Sequence, residues 1–429
     1  MHSLEQLRRG ELAGITRLDL AADLSEFPEE IFALADSLEV LNLSGNRLRA
    51  LPHDLSRLHR LKVLFCSDNL FETLPEVLGD CAQLEMVGFK SNRLREVPAA
   101  ALPARLRWLI LTDNRIESLP DALGERPRLQ KLMLAGNRLA SLPQSLAALH
   151  QLELLRIAAN RLDTLPDWLP QLPRLAWLAF AGNPGSDRAE AAALASHAQA
   201  PIGREQLVLG ELLGQGASGL IHRARWGERE VAVKLFKGQM TSDGLPHSEM
   251  AACLAAGRHP QLLPVIGPLQ PQPGEPDGLL LELMEPRFRV LAGPPSLASC
   301  TRDCYAPEQR FSTEQVWALA RGVAGALAHL HGRGILHGDL YAHNLLVDGQ
   351  DCRLSDFGAA SFFLPGSTQG AALQRLESRA FGILLEELLQ RCDTPPAALL
   401  QLAAACQQPL APERPDLGDI AAQLQGQGR

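Results

Sequence analysis

At 429 residues the chain is longer than one ordinary domain and fits two or three. Its formal net charge of −8 argues against the large basic surface that nucleic acid or an anionic membrane demands, and no apolar run reaches the roughly 18 residues of a membrane span. The eight cysteines lack zinc-ligand or redox spacing, even at Cys300 and Cys304, so reduced thiols are expected. The first residues, with Glu5, Arg8, Arg9 and Glu11, carry no apolar core of signal-peptide type, and the expected compartment is the cytoplasm.

Ser3-Leu-Glu-Gln6 has the pattern of a helix N-cap with its capping-box partner, and Leu4, Leu7 and Leu12 give the short helix an apolar face, so residues 1–14 are expected to form an N-terminal cap. From Ile15 the sequence repeats. Asn46, Asn69, Asn92, Asn114, Asn137, Asn160 and Asn183 lie 23 residues apart, with one gap of 22. Each unit runs like Leu38-Glu-Val-Leu41-Asn-Leu43-Ser-Gly-Asn46-Arg-Leu48 and then Leu51-Pro52. This resembles the leucine-rich repeat over about eight units, the first with Asp23 in the asparagine position.

The physics of the pattern agrees. Alternating leucines suit a short strand with one buried face, the asparagine amide can satisfy backbone groups where the chain turns, and Pro52, Pro75, Pro98, Pro120, Pro143 and Pro166 keep the return leg from pairing as a strand. A solenoid over residues 15–185 is expected. The positions alternating with the leucines, Val40, Val63, Phe65, Met86, Trp108, Ile110, Met133, Leu154, Arg156 and Trp177, should face solvent on the concave side. That stripe is apolar enough to suggest a protein-binding surface centred on Trp108, Ile110, Met133 and Trp177, the alternative being that it packs against the chain's own second domain. Asp187–Gln199, alanine-rich behind a good N-cap, is expected as a capping helix within a 186–205 linker.

Leu207-Val-Leu-Gly210 opens a strand pattern, followed by Gly214-Gln-Gly216-Ala-Ser-Gly219. Glycines between two strands form a flap whose N–H groups can approach phosphates closely, because no Cβ intervenes. Val231-Ala-Val-Lys234 puts a lysine at the end of an apolar strand, where it needs an anionic partner, and Glu249 in a helix-compatible stretch is the candidate. Leu279–Met284 reads as a buried strand, and Glu314–His331 as an apolar helix leading to His337-Gly-Asp-Leu-Tyr-Ala-His-Asn344 and Asp356-Phe-Gly358.

In that order these motifs resemble a eukaryotic-type protein kinase domain over residues 206–425. The fold implied for the whole chain is an α/β leucine-rich repeat solenoid followed by an α+β bilobal protein-kinase-like domain. The resemblance implies ATP and Mg2+ as cofactors and a protein as substrate. Gly214, Gly216 and Gly219 would cover the ATP phosphates, and Lys234 would hold them while pairing with Glu249. Ile221, Ala232, Glu282 and Met284 would contact the nucleotide, with Leu281 as gatekeeper. Asp339 would be the catalytic aspartate, and Asn344 and Asp356 the metal ligands.

Several positions depart from the family pattern. Gly338 stands where many members have arginine, so the basic pocket for an activation-loop phosphate is missing. Tyr341 replaces both the lysine usual in serine/threonine kinases and the alanine usual in tyrosine kinases, which leaves the acceptor open, with serine/threonine preferred. The activation segment is short and lacks Ala-Pro-Glu, the Ala306-Pro-Glu308 before the catalytic loop being discounted, so Arg414 loses its usual partner. Glu377 takes the place of the aspartate in the next helix. An active kinase is the expected function. A nucleotide-binding pseudokinase acting as a repeat scaffold is the alternative.

Overall fold

A computed structural model describes residues 2–196, 200–216, 218–238, 240–241 and 243–426. The chain divides into two compact units, one of residues 1–155 with 160–168, the other of residues 156–159 with 169–429. The division therefore falls inside the last repeats rather than in the 186–205 segment.

The first unit opens with α1 (Leu4–Arg8), whose Ser3 and Gln6 form the expected capping box, with Leu7 and Leu12 buried. Each repeat then contributes a three-residue strand: β1 (Arg17–Asp19), β2 (Val40–Asn42), β3 (Val63–Phe65), β4 (Met86–Gly88), β5 (Trp108–Ile110), β6 (Lys131–Met133), β7 (Leu154–Arg156) and β8 (Trp177–Ala179). They stand in one parallel sheet in chain order, with registers such as Leu41↔Leu64 and Leu109↔Leu132. Pro75, Pro98, Pro120 and Pro143 each precede a 3-10 turn on the return leg, as a residue without an N–H and with φ fixed near a helical value should.

The asparagines are structural. The Asn137 amide donates to Leu111 O and Leu134 O, both at 2.9 Å, while its oxygen accepts from Ile116 N at 3.0 Å. One side chain thus satisfies three buried backbone groups and ties adjacent repeats together.

The stripe between the leucines is less exposed than its alternation predicts. Phe65, Trp108 and Ile110 are half-buried, whereas Val63, Met86, Met133, Leu154 and Arg156 are buried. Trp108 donates to Met133 Sδ at 3.3 Å and lies under the Lys131 ammonium at 4.5 Å. Trp177 corrects the expectation outright: it is 1% exposed and stacks on another ring of the second unit, so it cannot serve as an open partner contact.

In the second unit α2 (Pro184–Ser196) begins three residues before the expected Asp187, and the expected end at Gln199 lies outside the described residues. A five-stranded antiparallel sheet comes next, built from β9 (Leu207–Gln215), β10 (Gly219–Trp226), β11 (Arg229–Phe236), β12 (Val265–Pro268) and β13 (Gly278–Glu282) in the order β12-β13-β11-β10-β9. One face buries Ala224, Val231, Val233, Leu269 and Leu280, the alternation that a half-covered sheet requires. Between β11 and β12 lies α3 (Pro246–Ala256).

The helical half contains α4 (Thr313–Gly332), α5 (Thr368–Leu389), α6 (Ala397–Cys406) and α7 (Leu417–Gly426). α4 starts at a Ser312/Gln315 capping box and buries Val316, Leu319, Ala320, Val323, Leu327 and Leu330, a helical stripe. Short strands β14 (Arg289–Val290), before α4 and paired with β16, and β15 (Ile335–Leu336), β16 (Leu345–Asp348), β17 (Asp351–Leu354) and β18 (Ser361–Phe362), between α4 and α5, frame the loops there. α5 carries the buried carboxylate Glu377, which accepts from His331 Nε2 at 2.7 Å, Gly338 N at 2.8 Å and His337 N at 3.3 Å. Among the described residues no helix is long and apolar enough to cross a membrane.

Replacing Asn137 by alanine should strand the Leu111 and Leu134 carbonyls and the Ile116 N–H, lowering stability by about 1–3 kcal/mol in denaturant titration. A second prediction concerns acid. Burial raises the Glu377 carboxyl, but the hydrogen bond and charge of His331 with the backbone donors outweigh it and hold the group below the usual carboxylate range. A depressed carboxylate stabilises above its unfolded pKa, about 4.3 for glutamate, and loses that contribution as pH falls through the folded value. Glu377→Gln should therefore lower the thermal midpoint near neutrality and flatten the acid limb of the stability profile relative to wild type.

Candidate active site

The nucleotide side of the site is built by the sheet. Antiparallel pairing sets Ile221 opposite Lys234 and Ala232 opposite Leu281, so the lysine sits one strand away from the glycine flap. Lys234 forms an ion pair with Glu249, which α3 brings in from 15 residues downstream. Both side chains are largely removed from water, as a charged pair in an apolar surround must be matched. Burial opposes charge on Lys234, but Glu249 and Asp356 outweigh it and raise its pKa above the usual lysine value.

Above the lysine, β9 ends just after Gly214 and β10 begins at Gly219, with Gly216 N donating to Gly219 O at 3.0 Å. A Cβ added at Gly214 or Gly216 would meet nothing within 4 Å, so the flap leaves open space, whereas one at Gly219 would strike Leu235 O at 2.5 Å. Glu282 ends β13, and its N–H donates to Pro264 O at 3.0 Å, with Met284 two residues on in the connector and half-buried.

Glu377 fixes the start of the catalytic loop by taking the N–H groups of His337 and Gly338. Asp303 fixes its end: one oxygen accepts from Ala342 N at 2.6 Å and His343 N at 3.3 Å, the other lies 2.7 Å from His343 Nδ1. Burial works against charge on His343, but this contact raises its pKa above the usual histidine value. Asp303 carried no signal in sequence, because it lies in a Pro- and Ser-rich connector and acts on a loop 39 residues away.

Between these anchors, Asn344 Nδ2 donates to Asp339 O and Oδ2, both at 2.9 Å, which leaves neither of these bonds on its amide oxygen. His337 Nε2 lies 3.0 Å from Ser355 O, one residue before Asp356, and its ring is 5.3 Å from Phe357. Asp356 is exposed, at φ +58, with its carboxylate accepting from Gly358 N at 3.1 Å.

Among the described residues no group of three or more histidine, cysteine, aspartate or glutamate side chains stands as a self-sufficient metal site. The donor set still fits a hard cation, since Asp356 and Asn344 offer two oxygen ligands and phosphate oxygens complete such a shell. The open flap and the paired lysine fit a polyphosphate.

Arg156, at the end of β7, also belongs to this site and was read from sequence only as part of the concave stripe. It is 1% exposed. Its Nη2 donates to Asp339 Oδ1, its Nη1 to Gly338 O at 3.0 Å and its Nε to Asp243 Oδ1 at 2.6 Å. Burial opposes its charge, but the carboxylates of Asp339 and Asp243 overcome that and raise its pKa. Arg414, whose usual partner is missing, is met by carbonyl oxygens of Gln408, Arg375, Pro173 and Pro409 at 2.7–3.3 Å. With no carboxylate among these, burial lowers its pKa to about 10, helped by the nearby Arg379.

Comparison with known proteins agrees with this geometry. Residues 207–375 match the family model for protein tyrosine and serine/threonine kinase, and residues 37–58, 104–162 and 127–184 match models of the leucine-rich repeat. The chain is similar to CBL-interacting protein kinase 22 of Oryza sativa subsp. japonica, with 32% identity over 196 residues, 43% of each chain. It is similar to the discoidin domain-containing receptor tyrosine kinase B of Caenorhabditis elegans, with 27% identity over 37% of this chain and 18% of that one. It is also similar to the DNA damage-responsive serine/threonine-protein kinase RqkA of Deinococcus radiodurans, with 33% identity over 36% of this chain and 22% of the relative. The chain thus spans less than half the length of the curated relatives it matches. Repeats over 37–184 lead into a region that matches the kinase family model over 207–375, which is the domain order of a leucine-rich repeat protein kinase.

Proposed function

We propose that the chain is an active, cytoplasmic, ATP-dependent protein kinase that prefers serine or threonine acceptors and uses its repeat array to recruit a protein partner. The observation that carries the reading is that the Lys234–Glu249 ion pair and the Asp339–Asn344 hydrogen bonds are both assembled in one compact unit. ATP with Mg2+ supplies, when bound, the transferable phosphoryl group and the cation that neutralises it.

The chain's own residues divide the remaining work. Gly214, Gly216 and Gly219 let backbone N–H groups approach the phosphates, Lys234 pairs with them, and Ile221, Ala232, Glu282 and Met284 contact the nucleotide. Asn344 and Asp356 hold the metal. Asp339 orients an acceptor hydroxyl and takes its proton as the new oxygen–phosphorus bond forms and the bond to the departing ADP breaks. The serine/threonine preference rests on the family resemblance and on the names of relatives such as RqkA.

The alternative, a nucleotide-binding pseudokinase scaffold, draws its support from the short stretch between Gly358 and α5 at Thr368. With labelled ATP and Mg2+, wild type should place phosphate on itself or on casein, and Asp339→Asn should lower the rate about 100-fold or more at unchanged ATP affinity. Equal silence of both proteins, with ATP still bound, would hand the chain to the scaffold reading. For the repeat array, half-buried Trp108 and Ile110 remain the accessible apolar positions of the expected site. Trp108→Glu with Ile110→Glu should lose the protein that co-purifies with wild type while nucleotide binding stays intact, and equal capture would remove the recruiting role.

A further inference from the structure

We propose that the end of β7 and the β8 strand form a built-in lock on the acceptor side of the catalytic loop, with Arg156 as the residue that closes it. The inference rests on the kinase reading and adds a regulation to it. All the groups involved, Arg156 and the segment from Leu169 onward, lie within the second compact unit.

The lock is visible first at Asp339. Arg156 Nη2 donates to Oδ1, and Asn344 Nδ2 donates to Oδ2 at 2.9 Å. An acceptor hydroxyl that needs this carboxylate must displace a charge-assisted hydrogen bond from a guanidinium that Asp243 and Gly338 O hold from two other sides.

The neighbouring strand covers the rest of the loop. Trp177 stacks on Tyr341 with ring centroids 4.4 Å apart and an interplanar angle of 9°, and its Nε1 donates to Leu340 O at 2.9 Å. Just beyond β8, the N–H groups of Phe180 and Ala181 donate to Ser361 Oγ at 2.9 and 3.1 Å. One strand pair therefore grips both the catalytic loop and the segment after Asp-Phe-Gly, the two stretches an acceptor would have to reach.

The catalytic loop is shaped for this grip. Gly338 has φ +74, and a Cβ there would stand 2.5 Å from Leu178 O and 2.7 Å from Ala359 O. Only glycine lets the β8 backbone pass at this distance.

The nucleotide side is assembled, with Lys234 on Glu249 and open space at Gly214 and Gly216, so the block falls on the acceptor and leaves ATP its place. The closed arrangement is also costly to hold. Tyr341 buries a hydroxyl with no hydrogen-bond partner among the described residues, and Arg156 gives up its hydration to be buried. A ligand that binds the open arrangement better would shift the balance.

The test uses the full chain with Mg2+, labelled ATP and casein as acceptor, alongside direct measurement of ATP affinity. Arg156→Ala should raise phosphate transfer to casein about tenfold or more, the scale of one released charge-assisted hydrogen bond, with ATP affinity unchanged. Because removing a buried cation can unfold the protein, Asp243→Asn serves as a second release: it removes the charge that anchors Arg156 from one side, keeps the side-chain shape, and should raise transfer in the same direction. Adding Asp339→Asn to either variant should erase the gain. Measurable wild-type transfer that ATP-binding variants leave unchanged or lower would overturn the lock alone and make Arg156 a support of Asp339, whereas ATP-bound silence of wild type and released variants alike would overturn the kinase reading. Failure of wild type and variants alike to bind ATP would overturn the kinase reading, and the lock with it.

Discussion

A carboxylate that gives up water must find its donors inside the protein, and Glu377 finds them in His331 and in the N–H groups of His337 and Gly338. That single buried charge ties α4, α5 and the catalytic loop to one point. The rest of the site is arranged from there: Asp339 continues the pinned backbone, Asn344 is oriented by Asp339, and Asp303 closes the far end on Ala342 and His343. Each charged group in this region is placed by the need of another to be met, which is how a set of titratable groups can be held to one geometry.

The same requirement explains how the second unit tolerates a short activation segment. Among the described residues no carboxylate answers Arg414, yet four carbonyl oxygens take its donors, one of them from Pro173 in the last repeat. Arg379 likewise donates to Arg174 O at 3.2 Å and to Gln407 O at 2.7 Å. Backbone carbonyls of Pro173 and Arg174, at the end of the repeats, thus take donors from both arginines. The compact unit accordingly reaches back to Leu169, well before the first strand of the kinase sheet.

What the sequence revealed depended on how local the cause was. The repeats were legible because each asparagine acts within its own turn and the one before, at a spacing the eye can measure. Lys234 and Glu249 were legible because strand and helix patterns lie close together and the motifs occur in order. Arg156, Trp177 and Asp303 were not, since their partners stand 183, 163 and 39 residues away and nothing in the local pattern marks the meeting. Trp177 was misread for a physical reason: alternation says which side of a strand a residue faces, but not what lies against that side. Gly338 was read as the loss of a basic pocket. Its conformation and the nearness of Leu178 O give it a steric cause of its own.

The asparagine ladder has a consequence for how such an array can change. Asn46 donates to Leu20 O and Leu43 O and accepts from Ala22 N and Leu24 N, and Asn137 does the same kind of work further along. Every joint between repeats therefore uses the same bonds, whatever the neighbours' other residues are. The one 22-residue spacing, between Asn92 and Asn114, has a three-residue 3-10 turn, Ala99–Ala101, a length also found in the 23-residue unit at Leu55–Arg57, and its missing residue falls between Pro98 and the next strand. Length variation is absorbed on the return leg while the ladder keeps its register. Whole units could be gained or lost by duplication or deletion without inventing a new interface, which makes the length of the array adjustable.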